Sequence, residues 1–184
     1  MSDAVAGRTA LVLGGARSGK SRYALALAEA TAPERLMIAT AEALDREMAA
    51  RIARHQSERG EGWSIREAPL DLIAALIAEA RPGRPVLVDC VTLWLSNLML
   101  GERDVEAAIA ALATMVPRLP GPVIFVSNEV GQGVTPATRL GREFLDHQGR
   151  ANQALAGACD IVVEVRAGLP RLLKPAPAIS LRLG

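Results

Sequence analysis

The chain has 184 residues, half of them hydrophobic but only 3% aromatic, and a formal net charge of +1. That length suits one domain whose core is built from Ala, Leu, Val and Ile, and the charge balance gives no general pull toward nucleic acid or an anionic membrane surface. Cys90 and Cys159 make no disulfide framework, no apolar run is long enough to span a bilayer, and no signal peptide is read at Met1–Arg8, so a cytoplasmic protein with a frayed extension over residues 1–8 is expected.

Short apolar runs alternate with helical patterns along the chain. A strand over Thr9–Leu13 leads directly into Gly14-Gly15-Ala16-Arg17-Ser18-Gly19-Lys20-Ser21, and a helical pattern over Gly19–Ala30 follows. The stretch fits the G-x-x-x-x-G-K-[ST] phosphate loop in its required strand–turn–helix context. Its glycines let backbone N–H groups close on phosphate oxygens, and Lys20 sets a compact positive charge against the β- and γ-phosphates. The Ser21 hydroxyl is a ligand for Mg²⁺, and the helix start adds the positive end of its dipole. Of the 21 basic residues only Lys20 and Lys174 are lysine. Arginine is thus the default cation, and Lys20 stands where a planar guanidinium would not serve. Lys174, near the terminus, draws less attention.

A strand over Leu36–Ala39 precedes a helical stretch at Asp45–Ser57 that contains His55. Arg51 lies one helical turn earlier on the same face, and a nearby cation keeps an imidazole neutral and nucleophilic. On pattern alone, a surface histidine on an Arg-rich helix is the simpler reading. A helix over Leu70–Ala80 is followed by the strand Val86–Asp89, whose terminal carboxylate has the form of the second nucleotide motif that holds Mg²⁺. Helices at Val91–Leu100 and Val105–Val116 precede a strand over Val123–Ser127. Ser127, Asn128 and Glu129 then emerge where they can orient a hydroxyl or water near a γ-phosphate, although a solvated turn fits equally well. The pattern closes with a helix over Thr138–Ala158 and strands at Ile161–Val165 and Ala178–Leu183; His147 has no partner pattern. Pro82, Pro85, Pro120 and Pro122 punctuate strand entries. Continuous apolar strands between helices predict an α/β fold, a parallel sheet covered on both faces with its ligands at the carboxyl ends of the strands.

Several segments, taken in order, resemble the bifunctional adenosylcobinamide kinase/adenosylcobinamide-phosphate guanylyltransferase family. They are the phosphate loop, Ile38-Ala39-Thr40-Ala41, Asp45-x-Glu47-Met48-x-x-Arg51-Ile52-x-x-His55, Trp63, Val88-Asp89-Cys90-Val91-Thr92-Leu93-Trp94, Asn97-Leu98 and Ser127-Asn128-Glu129-Val130-Gly131-x-Gly133. Pro136, Arg139, Phe144, Asp146, Gly149, Arg150, Asn152 and Gln153 carry the match into the last long helix, so it runs from Ala10 to Lys174. The resemblance implies a P-loop NTPase of the RecA-like branch, with a mostly parallel sheet and helices on both faces, in one domain over residues 1–184. It implies that ATP or GTP phosphorylates adenosylcobinamide, and that GMP then passes from GTP through a histidine to the new phosphate, giving adenosylcobinamide-GDP. Carried residue by residue, His55 matches the guanylylated histidine, and Glu67 and Asp89 match nucleotide-binding carboxylates. Ala39, Thr40, Ala41, Gln56, Ser57, Glu58 and Arg59 match further nucleotide contacts, beside the cradle at Gly14–Ser21. Some relatives have two adjacent histidines where this chain has Arg54-His55, which leaves His55 as the nucleophile. Arg59-Gly60-Glu61-Gly62 departs from the Arg-Pro common in the family. Mg²⁺ at Ser21 and Asp89, a corrinoid substrate, no nucleic acid, no membrane insertion and a homo-oligomer, usually a trimer, complete what the resemblance implies.

Three rivals fit less well. A regulatory GTPase wants an Asn-Lys-x-Asp motif that this chain lacks. A DNA-dependent RecA-like ATPase finds little support in the charge and scarce aromatics. The runner-up is a monofunctional P-loop small-molecule kinase, which an intact His55 distinguishes from the bifunctional reading.

Overall fold

The computed structural model describes residues 5–41, 61–131, 133 and 136–176. The helix expected over Asp45–Ser57 and the strand expected over Ala178–Leu183 lie outside them, and so do His55 and Gln56, Ser57, Glu58 and Arg59. In chain order the elements are β1 (Thr9–Gly14), α1 (Lys20–Thr31), β2 (Arg35–Ala39), β3 (Trp63–Glu67), α2 (Leu72–Glu79), β4 (Val86–Asp89) and α3 (Val91–Leu100). There follow α4 (Val105–Met115), a 3-10 turn at Val116–Arg118, β5 (Val123–Asn128), α5 (Arg139–Ala158), β6 (Ile161–Arg166) and β7 (Leu169–Lys174).

The strands form one sheet in the order β3-β2-β4-β5-β1-β6-β7, parallel except for the antiparallel edge strand β7. Alternate residues of each central strand serve two cores. Leu11, Ile38, Val88 and Phe125 face α2–α5, where Leu72, Leu76, Trp94, Leu112 and Leu155 pack against them. Val12, Met37, Leu87 and Val126 face α1, which presents Ala24 and Ala28, one turn apart. Two small side chains on that face let α1 approach closely, so the loop between β1 and α1 is held at a fixed height above the sheet. Parallel register then aligns the strand ends: Gly14 pairs with Asn128, and Ala39 with both Asp89 and Glu67.

β3 and β7 were not foreseen in the sequence. β3 is a largely exposed edge strand, and its alternation of Trp63 and Ile65 with polar residues is short. β7 contains Pro170, which argues against a central strand but is tolerated at an edge. β7 also explains the second lysine. Lys174 Nζ donates to the carbonyl oxygens of Ala156, Gly157 and Cys159 at 3.1, 2.9 and 2.6 Å, capping the end of α5. A compact three-donor ammonium suits three converging carbonyls at a helix C-terminus. Lys174→Met is expected to destabilise the fold by about 1–3 kcal/mol, since it leaves those acceptors unpaired. Urea denaturation reads this directly, and an unchanged midpoint would contradict the capping role.

Candidate active site

β1 delivers the chain to the loop at Gly14, where only glycine fits. An added Cβ there would lie 2.5 Å from both Ser18 Oγ and the Val165 carbonyl oxygen. Gly19, at φ 95°, makes the left-handed turn that starts α1. The Ser18 N–H donates to the Gly15 carbonyl at 3.3 Å, and the Gly168 N–H, from the β6–β7 turn, donates to the Ser18 carbonyl at 2.8 Å. Lys20 Nζ reaches back across the loop to the Gly15 carbonyl at 3.1 Å. Burial pulls the Lys20 ammonium below its ordinary pKa, while the negative forms of Cys90 and Asp89 push it back up. The cation thus sits partly desolvated between the loop and the end of β4, placed to meet an anion.

The carboxyl ends of β2, β4 and β5 are locked together beside the loop. Thr40 is fully buried; its Oγ1 donates to the Cys90 carbonyl at 2.7 Å and accepts the Cys90 N–H at 2.9 Å. The Thr40 N–H donates to the Asp89 carbonyl, and its own carbonyl accepts Asn97 Nδ2. With all of these groups engaged, Thr40 acts on the site by fixing Asp89 and Cys90 in place. On β5, the Ser127 hydroxyl donates to Asn152 Oδ1 at 2.6 Å, and Gln148 Nε2 donates to Ser127 Oγ at 2.8 Å. Asn152 Nδ2 holds the Asn128 carbonyl, and Thr92 Oγ1 accepts the Asn128 N–H. The Glu129 N–H then reaches the Gly14 carbonyl, which joins this network to the loop.

Asp89 closes β4, Glu67 stands exposed at the end of the edge strand β3, and Ala39 and Ala41 flank Thr40. Glu129 has its carboxyl pKa raised, first by burial and then by Glu164, against the opposing pull of Arg166. Burial pushes Cys90 up to about 11 and Cys159 up to about 12, so neither thiol is a nucleophile at neutral pH. His147 Nδ1 lies 3.0 Å from Glu106 and ties α5 to α4. A cavity of about 590 Å³ opens between Arg17–Arg22 of the loop and α1 and the turn residues Ala167 and Gly168. The polar residues behind the loop (Asn97, Gln148, Asn152) and the β6–β7 turn were not read from sequence as a unit. Their signal was buried-type positions holding amides, which only a placed sheet can reveal.

A phosphate loop joining a central parallel strand to a helix, with a carboxylate closing a strand two positions away, defines a P-loop nucleotide-binding protein of the RecA-like α/β class. One solved structure, the assembled ATPase EscN of an enteropathogenic E. coli type III secretion system, shares the fold with a TM-score of 0.54 at 12% identity. That match covers 88% of this chain and 43% of the other. The family model described as cobinamide kinase / cobinamide phosphate guanyltransferase matches residues 10–173. The bifunctional adenosylcobalamin biosynthesis protein CobP of Pseudomonas aeruginosa is 47% identical over 91% of this chain and 98% of its own. Proteins named CobU, with the same description, are 40% identical in Salmonella typhimurium and 41% in Escherichia coli, each over 86% of this chain and 96% of its own. The chain belongs to the cobinamide kinase / cobinamide phosphate guanyltransferase family. Among the described residues no helix is long and apolar enough to cross a membrane.

Thr40→Val removes both bonds to Cys90 and strands a buried N–H. It is expected to cost about 1–3 kcal/mol of stability. Thermal unfolding checks this, and a Tm at the wild-type value would show that the clamp contributes nothing.

Proposed function

We propose that this protein phosphorylates adenosylcobinamide with a nucleoside triphosphate and then converts the product, with GTP, to adenosylcobinamide-GDP. The observation that carries the reading is the pairing of one complete phosphate cradle with a match along the whole length of bifunctional relatives. In the first step the substrate hydroxyl oxygen bonds to the γ-phosphorus. The bridging bond to the β-phosphate breaks, the nucleoside diphosphate leaves and the hydroxyl proton is released. Lys20 and the loop N–H groups hold the β- and γ-phosphates, where positioning and charge supply most of the catalysis.

In the second step an unprotonated nitrogen of His55 bonds to the α-phosphorus of GTP, and pyrophosphate leaves. A phosphate oxygen of adenosylcobinamide phosphate then displaces the histidine, breaking the N–P bond and restoring neutral imidazole. Splitting the transfer through a covalent histidine turns one difficult displacement into two easier ones. Arg51 is assigned to keep the ring neutral, and Gln56, Ser57, Glu58, Arg59, Glu67, Ala39 and Ala41 to contact the guanine nucleotide. Thr40 positions Asp89 for the same task.

The Ser21 hydroxyl, next in the chain to Lys20, and the Asp89 carboxylate, whose charge Lys20 feels, are hard oxygen donors, a set that fits Mg²⁺. When bound there, the ion would neutralise charge on the phosphate oxygens. The same reading takes the chain as one P-loop domain acting in the cytoplasm as a homo-oligomer, with the corrinoid and nucleotides as its only partners.

Lys20→Ala is expected to abolish both reactions, beginning with a loss of about 1.5–3 kcal/mol in triphosphate binding. Wild-type guanylyl transfer in that variant would show that the two reactions do not share the loop. His55→Asn is expected to stop the sequence at adenosylcobinamide phosphate, as followed by chromatography with mass detection. Formation of adenosylcobinamide-GDP by this variant would refute the histidine route.

A further inference from the structure

The large cavity lies against the phosphate loop on its β6–β7 side, whereas the family-matched carboxylates beyond the loop, Asp89 and Glu67, lie on the other side. Asp89 closes β4, two strands from β1, and Glu67 closes β3, four strands away. The turn Ala167-Gly168 follows β6, the neighbour of β1 on the other side. At about 4.8 Å per strand, β3 and β6 stand about 24 Å apart across the sheet. A single nucleoside cannot rest against both ends.

The loop itself gives the phosphate chain a direction. Lys20, which grips the β- and γ-phosphates, reaches back with Nζ to 3.1 Å from the Gly15 carbonyl at the start of the loop and so marks the γ end there. The first turn of α1 runs on through Ser21 and Arg22 into the 590 Å³ cavity, a volume in the range of small-molecule sites. The far wall is the two-residue turn of the β6–β7 hairpin, with φ 52° at Ala167 and 80° at Gly168, the form of a type I′ turn. Its bond from Gly168 N–H to Ser18 fastens that wall to the loop. The Arg22 guanidinium tip lies 3.4 Å from where a Cβ on Gly168 would stand, so it overhangs the turn, and Arg17 lines the same space. Guanidinium groups stack on purine faces and donate to ribose and α-phosphate oxygens. Apart from them the turn wall offers backbone groups and the Ala167 methyl, with no further side chain to read the exocyclic groups of a purine.

We propose that this cavity holds the nucleoside of the triphosphate that donates its γ-phosphoryl group, a purine of either kind. GTP bound for guanylyl transfer instead carries its guanosine on the β2–β4 side. One phosphate cradle thus serves two nucleotide orientations, with Arg22, Ala167 and Gly168 forming the donor's subsite. The inference rests on the two-reaction reading above.

The test uses the full chain with Mg²⁺ and an azido-ATP whose photoreactive group is on the purine ring, followed by tryptic mapping. Label on the Ala167–Arg171 peptide that excess ATP displaces is the expected result. Label on peptides from β2 or β3, or none that ATP displaces, overturns the proposal. A second arm measures Arg22→Ala. Its KM for ATP in phosphorylation should rise about tenfold with kcat within about twofold, as loss of one charge-assisted contact implies, while GMP transfer from GTP stays within about twofold. Equal losses in both reactions would mean one shared nucleoside subsite, and no change in either would mean that the cavity takes no nucleoside. A wild-type protein that makes no adenosylcobinamide phosphate fails the functional reading, and the labelling map still decides where ATP binds.

Discussion

The structure turns on one constraint: a backbone loop must hold several N–H groups and one lysine around a phosphate without collapsing onto itself. Gly14 makes room where any side chain would strike Ser18 and the Val165 carbonyl. The alanine face of α1 sets the height of the loop, and β5 and β6 brace it on either side through Glu129 and Gly168. Lys20 is kept partly desolvated, and its ammonium rests against the Gly15 carbonyl. Exchanging that neutral acceptor for a phosphate is favourable, because the ammonium then faces an opposite charge in a partly desolvated site.

The edge of the sheet beside the loop is rigid for a second reason. Thr40, Asn97, Ser127, Gln148 and Asn152 are side chains that could have faced water, yet they spend their hydrogen bonds on the ends of β2, β4 and β5. Buried amides and hydroxyls are costly unless paired, and among the described residues only Gln148 Oε1 of this network lacks a partner, so it specifies one arrangement of strand ends. Group transfer needs that specificity, since reacting atoms must be held close and in line. The two cores beneath need only apolar side chains of suitable size.

Much of this was legible in the sequence because strong local signals coincide there. The run Thr9–Leu13 before a glycine-rich turn is a strand by its apolar continuity and a phosphate loop by its spacing, and either signal reinforces the other. The strands at Leu36, Val86, Val123 and Ile161 were equally plain, being buried on both faces. The edge strands were not: β3 is half polar and β7 contains Pro170, so neither carries the apolar continuity that marked the others. Lys174 looked incidental until β7 placed it beneath the end of α5. The clamp around Thr40 was invisible for a different reason, because its partners lie 50 and 57 residues away in sequence and only the sheet order brings them together. Thr40 matches a nucleotide contact by resemblance, and its hydrogen bonds add a role the pattern did not announce, holding the ends of β2 and β4 together.

The central claim is that one phosphate cradle serves both phosphoryl and guanylyl transfer. The most direct measurement titrates an ATP analogue with a non-hydrolysable imido bridge between its β- and γ-phosphates against GTP, following GMP incorporation into the protein. A shared cradle predicts that the analogue inhibits competitively, raising the apparent KM for GTP and driving incorporation to zero at saturation. Incorporation that continues at full rate under saturating analogue would contradict it and require a second, independent triphosphate site.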